Sequence, residues 1–141
     1  LLADFLAERQ AKVVLGPNLT TRSKLELKER AFSTPAVLAA KGVLFAVMSD
    51  HPVLPSAFLP VYAGLATRFG LPEEDALKAV TVNAAAILGL SDRVGSLAPG
   101  KDADVVVWSD RPLALSARPE IVIIDGQAGY ADAEQKISRW L

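Results

Sequence analysis

Six apolar residues in succession, Val43-Leu44-Phe45-Ala46-Val47-Met48, run through Ser49 into Asp50-His51-Pro52. A strand with one wet face would alternate, so an unbroken run suits a strand covered on both faces, as in a parallel α/β sheet. Ligands in such sheets gather beyond the carboxyl ends of the strands. Asp50 and His51 stand at that end.

The residues before this run complete a crossover. Asp4–Gln10 reads as the tail of a helix, and Ala11–Gly16 as a short buried strand that Pro17 stops. Asn18–Ser23 is a polar loop, and Lys24–Arg30 suits a short exposed helix. Thr34-Pro35 is a helix start, a cap followed by proline at the first helical position, and Gly42 is the matching stop. Strand, helix and strand in this order predict two parallel neighbours.

Beyond Pro52 the period becomes helical. Phe58, Val61, Tyr62, Leu65, Ala66 and Phe69 fall on one face, and Gly70 ends it. Pro72 with Glu73, Glu74 and Asp75 opens another helix, its acids facing the positive end of the dipole. Val80-Thr81-Val82 weakens helix, and Asn83 is placed as the cap of a last short one through Leu88, closed by Gly89. From about Ser91 the pattern turns to β. Pro99-Gly100 makes a turn, Val105–Trp108 and Ile121–Ile124 are strands, and Asp125-Gly126 is a hairpin signal. Ala133, Ile137, Trp140 and Leu141 mark a terminal helix.

Composition removes several function classes. The 141 residues hold one ordinary domain, 51% hydrophobic and 22% charged, and so globular. A net charge of −1 gives no footprint for nucleic acid or an anionic membrane. No apolar stretch reaches membrane-span length. Without cysteine there are neither disulfides nor thiolate metal sites. Cytoplasmic residence is the expectation. The first residue is Leu and the only Met is Met48, so the chain is expected to be cut from something longer.

Few residues are placed to do chemistry. Asp50 can ligate a metal or take a proton from water, and its bland role is a turn or cap beside Pro52. His51, the only histidine, is a candidate substrate contact or simply a turn residue. It is not expected to ligate metal, since a catalytic zinc needs three protein ligands. Asn18, with Thr20, Thr21 and Arg22, would overhang the same pocket or belong to a solvated loop. Asp102 and Asp104 lack the rest of a calcium loop and read as turn and strand-start residues.

Four segments in order carry a family resemblance. They are Gly16–Lys24, Asp50-His51-Pro52-Val53, Ala79–Gly89 with its Thr81-x-Asn83, and Gly95-Ser96-Leu97-Ala98-Pro99-Gly100-Lys101-Asp102-Ala103-Asp104. Together they resemble the C-terminal part of the amidohydrolase superfamily, especially its imidazolonepropionase-related branch. The resemblance implies an α/β fold. Residues 1–90 would be the last two strand-helix units of a (β/α)8 barrel, with Ala11–Gly16 as strand seven and Val43–Met48 as strand eight. Residues 91–141 would be part of a small β-sandwich (composite) domain with a terminal helix.

The resemblance also implies that Asp50 binds, or takes a proton from water on, one or two divalent metals, zinc or else iron or manganese. The reaction would be hydrolysis of a C–N bond in an amide, cyclic amide or amidine of a small-molecule substrate. The family's other ligands, a His-x-His pair on strand one and residues on strands four to six, have no counterpart here. The chain alone is therefore expected to be inactive, to hold no metal, and to self-associate or pair with a missing N-terminal portion. The alternative is a non-catalytic α/β assembly or binding module.

Overall fold

A computed structural model describes residues 2–19 and 31–131. Helix α1 (Leu2–Glu8) ends where the Ala11 amide returns to the Leu6 carbonyl and Gln10 takes a positive φ. Strand β1 (Val13–Leu15) follows, then α2 (Thr34–Ala40) and strand β2 (Phe45–Val47). The two strands are parallel, with Val13 opposite Phe45, Val14 opposite Ala46 and Leu15 opposite Val47. The crossover predicted from the sequence is present. The expected helix over residues 24–30 and the expected terminal helix over residues 133–141 lie outside the described residues.

Partners opposite one another in a parallel pair share a face, so Val13, Leu15, Phe45 and Val47 form one apolar layer. It packs on Leu38 of α2 and on the next two helices, α3 (Leu59–Thr67) and α4 (Glu73–Ala79), which contribute Tyr62, Ala63, Ala66, Ala76 and Ala79. Alanines at these contacts let the helices lie close to the sheet, and Ala63, Ala76 and Ala79 have no exposed surface at all. β2 is buried along its length, as expected. β1 is not: Val14, on the other face, is 48% exposed, a correction to the reading of Ala11–Gly16 as a buried strand.

Three further corrections are local. Ser33, not Thr34, is the N-cap of α2, and it makes no side-chain cap bond. The buried stripe of α3 is Tyr62, Ala63 and Ala66, while Phe58 and Phe69 at its ends stay about half exposed. Phe69 stacks instead on Phe32, ring centroids 5.4 Å apart. Asn83 does not cap the last helix. Helix α5 (Val82–Leu88) starts two residues earlier than expected, with Thr81 as N-cap, and stops at Gly89 in the left-handed region.

Asn83 has another partner: its side-chain amide donates to the Phe45 carbonyl at 2.9 Å. The rungs from Val13 N–H to Leu44 O and from Met48 N–H to Leu15 O show which groups of β2 face β1. By alternation the Phe45 carbonyl points the opposite way. α5 thus satisfies an acceptor on the outer edge of β2, which would otherwise carry an unpaired backbone group.

A three-stranded antiparallel sheet follows, with β4 (Pro119–Ile124) between β3 (Val105–Trp108) and β5 (Gln127–Ala131). Asp125 and Gly126, both at positive φ, form the predicted hairpin turn. Two glycines fasten this part to the helices. A Cβ on Gly64 of α3 would be driven into the Leu113 carbonyl oxygen, and one on Gly95 into the Ala85 side chain. Arg111 adds an exposed ion pair to Glu73 at 3.0 Å. Among the described residues no helix is long and apolar enough to cross a membrane.

Candidate active site at the carboxyl ends of the parallel strands

The last rung of the β1–β2 ladder, Met48 N–H to Leu15 O at 2.8 Å, brings the two strand ends level. The next residue on the β1 side is Gly16, at φ +147, a region open to glycine but not to L side chains. A Cβ there would collide with the Met48 carbonyl oxygen. Absence of a side chain therefore lets the chain leaving β1 press against the chain leaving β2.

The two outgoing segments carry Asn18 and Ser49, 8% and 7% exposed, the buried polar side chains among the described residues. Asn18 itself is therefore not a solvated loop residue. Thr20, Thr21 and Arg22, its expected companions, lie outside the described residues.

Asp50 follows Ser49 and takes φ +54, the left-handed region that aspartate tolerates better than most residues. This turns the chain out of the strand direction, and Asp50 is exposed. Its carbonyl accepts from Val53 N–H at 2.8 Å, which closes a tight turn with His51 and Pro52 at the tip. His51 and Val53 are exposed beside the carboxylate. Asp50, His51 and Val53 thus stand exposed in succession just beyond the carboxyl end of β2. The strand-end placement expected for Asp50 and His51 is what the chain adopts.

Among the described residues no three His, Cys, Asp or Glu groups converge on a point that could hold an ion. One aspartate and its neighbouring histidine fall short of a three-ligand set. These residues do not by themselves fit a metal centre.

Other acids have structural partners. Asp102 pairs with Arg93 at 2.6 Å, and Asp104 accepts from the Asp125 amide at 2.9 Å, holding the β4–β5 turn. Both serve the turn and the strand start, as the sequence suggested. A cavity of about 810 Å³ lies away from Asp50, among Leu77, Val80, Leu88, Val94, Leu97 and Val106.

Sequence reasoning missed Gly16 and Ser49. Gly16 was legible in principle, since a glycine ending a buried strand marks close backbone approach. Ser49 had no such signal.

Comparison with known proteins places this arrangement in a family. A family model described as the amidohydrolase family matches residues 2–129. The chain is 37% identical over 107 residues to the amidohydrolase tasK of Hapsidospora irregularis, covering 74% of this chain and 11% of that protein. It is 41% identical over 96 residues to an imidazolonepropionase of Cereibacter sphaeroides, covering 65% of this chain and 24% of that one. Among solved structures it superposes on an amidohydrolase from Thermotoga maritima with a TM-score of 0.89 at 51% identity. That match covers 93% of this chain and 34% of the other. The chain thus spans about a third or less of the length of each of these relatives. With nearly all of its length matched by the family model, the chain belongs to the amidohydrolase family.

Proposed function

We propose that this chain supplies the working carboxylate, Asp50, of a hydrolase that breaks a C–N bond in a small amide, cyclic amide or amidine. The observation that carries the reading is the position of Asp50, exposed at the carboxyl end of the buried strand β2 in a chain of this family. β1 and β2 are read as the last two strands of a barrel, and residues 91–141 as part of a small β domain. The close superposition on the Thermotoga amidohydrolase supports that reading.

In the proposed reaction a water attacks the carbon of the C–N bond while the Asp50 carboxylate accepts its proton. The tetrahedral adduct collapses with loss of the nitrogen, which takes that proton from Asp50 as it departs. His51 at the tip of the turn and Asn18 on the neighbouring one contact the substrate. A divalent metal, the family's usual aid, would need ligands from beyond the described residues.

Asp50→Asn in the polypeptide that carries these residues tests the assignment. Asparagine keeps the size of the side chain but accepts no proton at this pH. C–N hydrolysis should fall roughly 100- to 10,000-fold, with the thermal midpoint little changed. An unaltered rate would take Asp50 out of the chemistry.

A further inference from the structure

We infer that Gly16 is a positioning residue for Asp50, which it reaches through Met48. The inference rests on the reading of Asp50 as the working carboxylate. Three observations converge on it. At φ +147 Gly16 occupies backbone space closed to L side chains, and a Cβ built there runs into the Met48 carbonyl oxygen. The same Cβ would come within 3.0 Å of the Met48 side chain at Cγ, so the neighbour is crowded on two sides. Met48 is also fixed from the β1 side, its amide held by Leu15 O at 2.8 Å.

Met48 therefore has little freedom to retreat from a methyl group at position 16 except by swinging its carbonyl. That carbonyl belongs to the peptide leading into Ser49, and Asp50 is one residue further on. Ser49 is buried and gives no slack, whereas Asp50 and His51 are exposed and free to follow. A side chain at 16 would thus be read out as a displaced carboxylate at the turn.

A purely structural glycine would instead cost stability without moving that turn. Gly64 provides the matched control, since a Cβ there meets the Leu113 carbonyl oxygen in another part of the molecule.

His51 is the only histidine among the 141 residues and adjoins Asp50, so its ring Cε1–H resonance is a native reporter. Gly16→Ala and Gly64→Ala are made in the full polypeptide that carries these residues, and the His51 resonance is assigned by its loss in His51→Gln. The expected result is a His51 shift exceeding the linewidth in Gly16→Ala and an unmoved resonance in Gly64→Ala. An unmoved resonance in folded Gly16→Ala, or equal shifts in both variants, overturns the inference.

Should Gly16→Ala not fold, the double variant Gly16→Ala with Met48→Gly lets the carbonyl rotate away. A native His51 position in that folded protein overturns the inference equally. The resonance decides the positioning role without any activity measurement, and the rate of Asp50→Asn decides the chemical role separately.

Discussion

Asn83 shows how one side chain can do work that its local sequence does not announce. An asparagine after a β-branched run reads as a helix cap, because its short amide competes for nearby backbone groups. The amide instead crosses 38 positions of sequence to the Phe45 carbonyl. Removing it leaves a backbone acceptor on the strand edge without that donor. Asn83→Ala should cost about 1–3 kcal/mol in denaturant unfolding, and a loss within error would mean that water replaces the amide freely. Asp50 lies at the opposite extreme. Its place at a strand end could be read from the apolar run before it, but not its left-handed φ, which depends on the turn closed by Val53.

At the level of elements, β2 was legible because all its residues are buried, so apolarity and burial coincide. β1 was only half legible. Val14 is as apolar as its neighbours but points to the face that the described helices do not cover. A three-residue strand offers too little pattern to reveal that. The α3 stripe was misjudged at its ends for a related reason. The helical wheel ranks Phe58 with Tyr62, yet Phe58 precedes the α-helix, in the 3-10 turn Ser56–Phe58, where the 3.6 period has not begun. Mutation should separate the two phenylalanines. Phe45→Ala, in a residue 2% exposed, should cost about 3–5 kcal/mol. Phe58→Ala should cost a small fraction of that, and equal losses in chemical denaturation would contradict the burial described here.

For the whole molecule, the helical part and the β part share tight glycine contacts that no periodicity could have revealed, since they depend on where distant backbones meet. The electrostatics are peripheral. Lys41 holds the Asp4 carboxyl below its ordinary 3.8 by a hydrogen bond and by its charge, and Lys78 does the same to Glu74 against 4.5. A carboxyl lowered in the folded state stabilises folding above its unfolded pKa, and the gain vanishes as pH falls through the folded value. The lysines, raised above 10.5, lose their contribution as pH climbs through their raised values. Between these limits stability should be nearly flat with pH, with small salt-sensitive losses at the acid end, because all four groups are exposed. A steep change in thermal midpoint near pH 6 to 7 would contradict this.

With no converging ligand set among the described residues, the isolated 141-residue chain should retain no zinc, iron or manganese after dialysis against a weak chelator. Stoichiometric metal would show a site completed by residues beyond those described or by a second copy.

The bond from Asn83 to Phe45 also bears on synthesis. A ribosome makes β1 and β2 well before it makes α5, and 38 residues separate the strand carbonyl from the amide that satisfies it. Between the emergence of β2 from the ribosome and that of Asn83, the nascent strand presents an edge carbonyl without its donor, the kind of edge that pairs with neighbouring chains. Slowing translation soon after codon 83, while Asn83 is still enclosed by the ribosome, should lengthen that exposure and lower the soluble yield, whereas slowing it before codon 45 should not.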